Sequence, residues 1–402
     1  MLIAQALSLA CEAAKRPRKV VVLGSTGSLG RLALDIIGQN PHAFELLALA
    51  AGSGVECLAG QVFKFSPRYV ALAEPPAAES LRRLLKSQAG WGNRSEVLEG
   101  AQAVLELAAH PEADIVLVAI SGVAGLRPVA KAIEAGKHLA LANKESLAVA
   151  GEFLERLQQK SQAVIVPVDS EHSAVFQALQ GRGLRELREI ILTASGGPFL
   201  DTPQEKFKHV TPSQAVQHPR WSMGSKISVD SATLMNKALE VIEAHWLFGL
   251  AAERIKVLVH PQSIVHALVC LCDGSYLAEL SCPDMRGPIA FALAYPAARL
   301  DNVMAPLELT AGSLEFRPLN EDKFPAVEMA RQCLKVGGVL PAVFTYADEL
   351  AVEAFLKGRI GFDRIVPLVR QVTEQWKNQN YDSLEQIEEL KDQVQRKLQE
   401  LW

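Results

Sequence analysis

The chain lacks the features that mark membrane, nucleic-acid-binding and disulfide-rich proteins. No apolar run reaches the roughly 20 residues that a membrane-spanning helix requires. The formal net charge is −4, so there is no basic excess to attract a nucleic acid. Six cysteines are scattered without a CxxC pair, which disfavours a zinc or redox motif and suits a reducing compartment. We therefore expect a cytoplasmic protein with neither a membrane nor a nucleic acid among its partners.

The length and the order of the apolar runs predict the fold class. A chain of 402 residues is too long for one hydrophobic core. Between Lys19 and Asp169, short β-rich runs alternate with helical stretches, which predicts an α/β domain with a Rossmann-like, doubly wound parallel sheet. Its strands are expected at residues 19–23, 44–50, 69–73, 114–120, 138–142 and 163–168.

Beyond Asp169 the pattern changes to a mixed α+β domain and then to helices. A helix at residues 232–248 and a hairpin turning at Asp273-Gly274 are expected in the mixed part, and four helices in the last part. The predicted division is a 1–17 N-terminal extension, an 18–168 cofactor-binding domain, a 169–295 catalytic domain, a 296–325 linker and a 326–402 C-terminal helical domain.

A glycine-rich turn follows the first predicted strand. Gly24, Gly27 and Gly30 have the GxxGxxG spacing, which lets a backbone approach a pyrophosphate at a helix N-terminus. A turn that merely needs glycine is the alternative. The second strand ends at Gly52-Ser53-Gly54 without the acid that bonds the ribose of NAD. It also lacks a Lys or Arg for the 2′-phosphate of NADP, although Ser53 and backbone N–H groups can donate to it.

Asn143-Lys144-Glu145-Ser146 follows a later strand of the same predicted sheet. The carboxyl ends of parallel strands line the ligand crevice, where Lys144 can meet a substrate hydroxyl or carbonyl. The alternative is a solvated helix start with Asn143 as N-cap and Glu145 in the first turn.

Two carboxylates, Asp169 and Glu171, lie at the predicted domain boundary. On an extended chain they share one face, and oxygen ligands suit Mg²⁺ or Mn²⁺. The alternative is an exposed strand end with a helix N-cap. In the polar segment 221–240, Glu240 lies four residues after Asn236 and so shares its helix face.

Polar side chains with hydrogen-bond donors suggest a phosphate site: Ser195, Ser231, Asn236 and Lys237. Taken singly, each serine is better explained as an ordinary cap or turn residue. Trp221 and Met223 lie in a loop between polar stretches and are interpreted either as a buried anchor or as part of a flap over the substrate.

Taken together, these strings resemble the 1-deoxy-D-xylulose 5-phosphate reductoisomerases. The motifs that carry the resemblance are GSTGSLG (24–30), ANKES (142–146), PVDSEH (167–172), TASGGPF (193–199), HPRWSMGSKISVDSATLMNKALE (218–240), HPQSIVHA (260–267) and CPDMRGPI (282–289). The resemblance implies a homodimer that uses NADPH and one divalent cation (Mg²⁺, Mn²⁺ or Co²⁺). It also implies conversion of the ketose phosphate to 2-C-methyl-D-erythritol 4-phosphate by retro-aldol/aldol rearrangement and hydride reduction.

The resemblance also implies site residues. Those expected to contact NADPH are Thr26, Gly27, Ser28, Leu29, Gly52, Ser53, Gly54, Asn143, Glu145 and Gly224. Those expected to hold the cation are Asp169, Glu171 and Glu240. Those expected around the substrate are Lys144, Ser170, Glu171, Ser195, His218, Ser231, Asn236, Lys237 and Glu240, with Trp221 and Met223 in the closing loop. The catalytic set is Lys144, Asp169, Glu171 and Glu240.

Three positions depart from the family pattern. Ser53-Gly54 stands where Lys or Arg followed by Asn is usual, Ala238 replaces a Gly, and residues 345–349 read Thr-Tyr-Ala-Asp-Glu in place of Asn-Ala-Ala-Asn-Glu. Two other functions fit parts of the sequence. A metal-free NADP-dependent dehydrogenase of the homoserine dehydrogenase kind would use the glycine turn and Lys144. A non-catalytic dinucleotide sensor would use the turn alone.

Overall fold

The computed structural model describes residues 1–9, 16–88, 94–217, 224–310 and 312–402. The strands in these ranges are β1 (Arg18–Leu23), β2 (Phe44–Ala51), β3 (Tyr69–Leu72), β4 (Glu96–Glu99), β5 (Ile115–Val118), β6 (His138–Leu141), β7 (Val164–Pro167), β8 (Leu187–Ala194), β9 (Ile255–Val259), β10 (Val265–Leu271), β11 (Tyr276–Leu280) and β12 (Arg317–Pro318).

The α-helices are α1 (Ala4–Leu7), α2 (Ser28–Gln39), α3 (Val55–Phe65), α4 (Pro75–Ser87), α5 (Gly100–Ala108), α6 (Leu126–Glu134), α7 (Lys144–Gln158), α8 (Ser170–Ala178), α9 (Pro212–Ala215), α10 (Ser225–Thr233), α11 (Met235–Phe248), α12 (Arg286–Ala294), α13 (Ala326–Val336), α14 (Leu340–Leu356), α15 (Ile365–Glu374) and α16 (Leu384–Gln399). Short 3₁₀ helices occur at Val123–Gly125, Leu184–Glu186, Gln204–His209, Ala252–Arg254 and Phe362–Arg364.

The N-terminal half forms a parallel sheet of seven strands in the order β4-β3-β2-β1-β5-β6-β7. The predicted doubly wound architecture is confirmed, and the six expected strands agree with the structure within a few residues. Apolar runs such as Ile115–Val118 are wholly buried because helices cover both faces. The strand that the sequence did not predict is β4, an edge strand with an acid at each end and only partial burial.

The glycine turn lies where the strand order reverses, between β1 and β5. Gly24 has φ +86°, and a Cβ there would come within 2.5 Å of the Ala119 carbonyl oxygen. A Cβ on Gly30 would lie 2.3 Å from the carbonyl oxygen of Gly24, so α2 packs against the strand end only because this residue has no side chain. The turn therefore opens at the topological switch point, the usual ligand crevice of such sheets.

The second sheet has five strands in the order β11-β10-β8-β9-β12 and is mixed, since β8 and β9 are parallel and the other pairs antiparallel. The hairpin predicted at Asp273-Gly274 is confirmed as β10 and β11. The predicted linker contains β12, which pairs with β9. The sequence did not predict α12, which packs on α2 of the other half.

The helix expected at residues 232–248 is wrong as a single element. Leu234 has φ +61° and ends α10, and α11 begins at the next residue. The left-handed conformation is uncommon for a residue with a Cβ, so the surrounding packing must impose it. The break gives α11 an N-terminus of its own immediately before Asn236 and Lys237.

The C-terminal part consists of α13 to α16, and the N-terminal residues pack into the body of the protein. Leu2 and Ile3 are fully buried, and the backbone N–H of Leu2 donates to the carbonyl oxygen of Trp246 on α11. None of the helices in the described ranges is both long and apolar enough to cross a bilayer.

Candidate active site

The predicted crevice residues lie at the carboxyl ends of adjacent strands. Asn143 caps α7 just after β6 by accepting from the backbone N–H of Ser146, and its amide donates to the carbonyl oxygens of Ile120 and Gly122 beyond β5. The N-cap alternative is confirmed, but the expectation that this helix start is solvated is wrong, because Asn143 and Lys144 are buried.

Asp169 and Glu171 follow β7, and their local geometry differs from the extended one predicted. Asp169 is the N-cap of α8, and Glu171 lies in the first helical turn. The alternative of a helix N-cap is therefore correct for the backbone, although these carboxylates are largely buried instead of solvated. The helix start turns both side chains toward α11.

The three carboxylates that the resemblance assigned to a cation converge. One oxygen from each of Asp169, Glu171 and Glu240 lies within 4.8 Å of the others. Glu240 reaches them from α11, and its side chain is only 1% exposed. An oxygen-only set of this kind fits a hard divalent cation such as Mg²⁺.

Two buried lysines compensate the negative charge of this cluster. Lys144 Nζ lies 2.5 Å from Asp169 Oδ2 and 3.2 Å from Glu240 Oε1. Lys237 Nζ lies 2.6 Å from Glu171 Oε1 and 2.5 Å from Glu240 Oε2. With three carboxylates and two ammonium groups, the cluster keeps a negative formal charge, which favours the binding of a further cation.

The pKa values of these groups reflect the competition between burial and charge. Burial and Glu171 raise the pKa of Glu240 to about 7. Burial acts in the same direction on Asp169, but Lys144 and His172 outweigh it and lower the pKa of Asp169 to about 2. Burial alone would lower the pKa of Lys144, but its carboxylate neighbours raise that pKa above the ordinary value.

A further pair behind this cluster was missed from the sequence. His172 is fully buried and makes a 2.9 Å contact through Nε2 to the Glu240 carbonyl oxygen, while its Nδ1 lies 3.4 Å from Glu243 Oε2. Burial lowers the pKa of His172 to about 4, and burial together with Asp169 raises that of Glu243. The signal available was spacing: His172 follows Asp169, and Glu243 follows Glu240, by one helical turn.

The four residues expected to bind phosphate lie on three elements. Ser195 follows β8, Ser231 is on α10, and Asn236 and Lys237 open α11. The segment after β8 approaches α10 closely at Gly197, since a Cβ there would come within 2.6 Å of the Ser231 carbonyl oxygen. In the structure Lys237 is bound to carboxylates, and Asn236 contacts both Lys144 and Glu240. Ser170 donates to Glu171.

Some predicted residues lie outside the described ranges: His218, Trp221 and Met223. Gly224 is described and is the N-cap of α10. Glu145 is in the first turn of α7 and accepts from the amide of Asn143 at 3.1 Å.

The glycine turn fits a dinucleotide. No side chain caps the N-terminus of α2, where Gly27 and Ser28 are exposed, so its first amide groups are available to a pyrophosphate. Thr26 and Leu29 complete the turn, and Gly52, Ser53 and Gly54 lie beyond the neighbouring strand β2. A Cβ on Gly54 would lie 3.7 Å from Thr26 Oγ1, which shows how closely the two loops approach.

A parallel sheet with a glycine turn after one strand and a buried carboxylate cluster after its last strand together define a dinucleotide-dependent oxidoreductase with a divalent-metal site. Three family models match: "1-deoxy-D-xylulose 5-phosphate reductoisomerase" over residues 20–151, its C-terminal domain over 165–248, and "DXP reductoisomerase C-terminal domain" over 280–397. The chain belongs to the 1-deoxy-D-xylulose 5-phosphate reductoisomerase family.

Individual relatives agree. The reductoisomerase of Thermodesulfovibrio yellowstonii is 46% identical over 371 residues, covering 92% of this chain and 95% of that relative. That of Chlorobaculum tepidum is 48% identical over 363 residues, covering 89% and 94%. The Zymomonas mobilis enzyme in complex with NADPH has a TM-score of 0.89 at 39% identity, covering 96% of this chain and 99% of that one. A reductoisomerase in complex with NADPH, fosmidomycin and magnesium has a TM-score of 0.90 at 36% identity, with the same coverage.

Proposed function

We propose that this protein converts 1-deoxy-D-xylulose 5-phosphate to 2-C-methyl-D-erythritol 4-phosphate with NADPH, a step of isoprenoid biosynthesis by the methylerythritol phosphate route. The observation that carries the proposal is the meeting of Asp169, Glu171 and Glu240 after the last strand of the sheet that carries the glycine turn, in a chain that aligns with the reductoisomerases over nearly its whole length. A plain dehydrogenase or a dinucleotide sensor has no use for such a cluster.

The three carboxylates are proposed as ligands of one divalent cation. Solved relatives contain magnesium, which makes Mg²⁺ the first candidate and leaves Mn²⁺ and Co²⁺ as substitutes to be tested. When bound, the cation supplies Lewis acidity to the carbonyl and neighbouring hydroxyl oxygens of the substrate. Lys237 holds Glu171 and Glu240 in place through its two short contacts, and the buried surroundings exclude water from them.

Lys144 is proposed as the residue that stabilises negative charge developing on a substrate oxygen. Its ammonium group lies between Asp169 and Glu240 and is also bound by the amide oxygen of Asn236 at 2.8 Å. Because the neighbouring carboxylates raise its pKa, Lys144 stays protonated and donates a hydrogen bond to a developing oxyanion. It accepts no proton in that state, so proton uptake must fall to another group.

Substrate phosphate is assigned to Ser195, Ser231, Asn236 and Lys237, with His218 and Ser170 completing the surround. Two observations support this assignment. The loop after β8 contacts α10 at Gly197, and α11, which carries Asn236 and Lys237, begins at Met235 just after α10 ends. The binding energy of the phosphate can be used for orientation and closure, with Trp221 and Met223 in the closing segment.

NADPH is assigned to the crevice formed by the glycine turn, the loop after β2 and the start of α7. Thr26, Gly27, Ser28 and Leu29 bind pyrophosphate and ribose in this proposal, and Asn143, Glu145 and Gly224 lie at the nicotinamide end. We keep the sequence-based division into an 18–168 cofactor domain, a 169–295 catalytic domain and a 326–402 helical domain as part of the proposal.

A homodimer and a cytoplasmic location complete the proposal. β11 is the edge strand of the second sheet and exposes 52% of Tyr276 and 36% of Leu280, a surface suited to a second copy. Light scattering should therefore give twice the chain mass, and a monomer mass would refute the dimer. The described cysteines at 57, 270, 272, 282 and 333 are unpaired, as expected in a reducing compartment.

The activity is tested by following NADPH absorbance after adding 1-deoxy-D-xylulose 5-phosphate, with and without a chelator. Oxidation of NADPH that stops with chelator and resumes with Mg²⁺, accompanied by formation of the branched-chain product, supports the proposal. Turnover that survives complete metal removal, or tight NADPH binding without oxidation, would contradict it. Refilling the chelated enzyme with Mn²⁺ or Co²⁺ tests the choice of metal.

A further inference from the structure

The proposed NADPH crevice lacks a basic side chain at the position where one is expected. NADPH differs from NADH by a dianionic 2′-phosphate, which is usually bound by a Lys or Arg just after the second strand. Here that place is taken by exposed Ser53 and by two glycines, with open space around the Cβ position of Gly52. An exposed acid borders this loop, since the backbone N–H of Glu74 donates to the Gly52 carbonyl oxygen at 3.3 Å.

Arg31 on α2 reaches the same corner from the other side. Its Nε donates to the carbonyl oxygen of Thr26 at 2.8 Å, which brings the guanidinium back over the glycine turn. Thr26 is the residue whose side chain meets the loop after β2, at 3.7 Å from the Cβ position of Gly54. Arg31, Thr26 and Gly54 therefore link the helix start to the place where a 2′-phosphate is expected.

The guanidinium of Arg31 is not committed to an acid. The residue is exposed, and within the described ranges no carboxylate oxygen lies within 4.0 Å of its nitrogens. Asp35, one turn further along α2, is instead paired with Lys64 at 3.3 Å. With Nε anchored, the two terminal nitrogens form a fork of the kind that binds phosphate oxygens in pairs.

We propose that Arg31 is the specificity-determining residue for NADPH over NADH in this chain, binding the 2′-phosphate in place of the missing basic residue at position 53. The proposal rests on the NADPH use stated above. The anchored Nε lowers the conformational cost of binding, because the side chain is already held over the turn. Ser53 and the backbone N–H groups of its loop then add hydrogen bonds but no charge.

The test measures binding first, so that it does not depend on turnover. Isothermal titration of wild type and Arg31→Gln with adenosine 2′,5′-bisphosphate and with 5′-AMP separates the 2′-phosphate from the rest of the nucleotide. Arg31→Gln should weaken the bisphosphate about 10- to 100-fold, the value of a charge-assisted pair, and leave 5′-AMP unchanged. Arg83→Gln, which removes an exposed arginine from α4, should change neither.

Kinetics supply the second arm. In Arg31→Gln the kcat/KM ratio of NADPH to NADH should fall by the same factor through KM, with kcat retained at saturating NADPH. Adding Ser53→Lys to that variant should restore bisphosphate binding by returning a cation to the loop. The proposal is overturned if Arg31→Gln binds the bisphosphate as wild type does, or if both nucleotides weaken equally. An enzyme inactive on the ketose phosphate with this binding pattern intact would refute the proposed function alone.

Discussion

Lys226 Nζ lies 2.8 Å from Asp348 Oδ2, a contact that joins α10 beside the active site to α14 of the C-terminal helices. The same ammonium group lies 2.5 Å from Asp230 Oδ2 on its own helix. Both acids are buried, and within the described residues the Oδ1 atom of each has no hydrogen-bond partner. One cation thus serves two carboxylates, and Asp348 stands where the family tends to have an uncharged Asn.

This imbalance should make stability depend on pH. Burial and the other acid raise the pKa of Asp230, and burial raises that of Asp348 although Lys226 opposes it. Glu145 on α7 and Glu349 on α14 add negative charge, and Lys391 on α16 pairs with Glu349. An acid with a raised folded pKa stabilises the fold below its ordinary value of 3.8, and this contribution is lost as pH rises through the folded pKa.

Asp348→Asn should therefore raise the free energy of unfolding at neutral and mildly alkaline pH, by about 1–3 kcal/mol, the cost of an uncompensated buried polar group. The gain should shrink toward acidic pH, where wild-type Asp348 is itself protonated. Urea unfolding across pH measures it. Glu353→Gln, an exposed acid on the same helix, is the control and should show no such trend. A variant less stable than wild type at every pH would show that Lys226 needs the negative charge of Asp348 as well as that of Asp230.

The lysines of the carboxylate cluster allow a second stability test. Lys237→Met leaves Glu171 and Glu240 buried without their shared ammonium group, and breaking a buried pair in this way costs about 3–5 kcal/mol. Because Mg²⁺ would take over part of the neutralisation, saturating Mg²⁺ should recover much of the loss, with about 2.7 kcal/mol expected at 100 times its dissociation constant.

The measurement is urea unfolding of wild type and variant with chelator and with Mg²⁺. Lys256→Met, at an exposed position on β9, should stay within about 0.5 kcal/mol of wild type in both conditions. If Mg²⁺ stabilises neither protein, the three carboxylates do not bind it.

Glu240→Gln tests the catalytic role of the cluster directly. The change keeps the shape of the side chain but removes a charged oxygen from the set of three. We expect a loss of about 10²- to 10³-fold in metal-dependent kcat, equivalent to several kcal/mol of lost charge stabilisation. NADPH binding, followed by fluorescence, should be unaffected because the glycine turn lies elsewhere. The exposed Glu253→Gln serves as the control, and wild-type turnover by Glu240→Gln would reject the ligand role.

Local patterns in the sequence predicted the parts of the fold that depend on residues close together in the sequence. Six of the seven parallel strands could be predicted because their apolar runs are largely buried, whereas the partly exposed β4 could not. The glycine turn could be predicted because Gly24 and Gly30 are required sterically. The break at Leu234 could not be predicted, since the left-handed conformation there is imposed by tertiary packing. The same holds for the pairing of His172 with Glu243, which depends on how α8 packs beside α11.

The glycine turn gives a prediction that separates a steric role from a binding role within seven residues. Gly30→Ala would place a Cβ 2.3 Å from the Gly24 carbonyl oxygen, so α2 must move away from β1 and both stability and NADPH binding should fall. Gly27→Ala meets nothing closer than 3.4 Å and has an ordinary negative φ of −72°, so its fold should persist. The unfolding temperature should therefore fall strongly for Gly30→Ala and by only a few degrees for Gly27→Ala. Nucleotide titration should detect weaker binding in both variants, because the methyl group added at position 27 lies at the exposed mouth of the turn. Equal unfolding temperatures for the two variants would show that the close approach of α2 to β1 is not what requires the glycine at position 30.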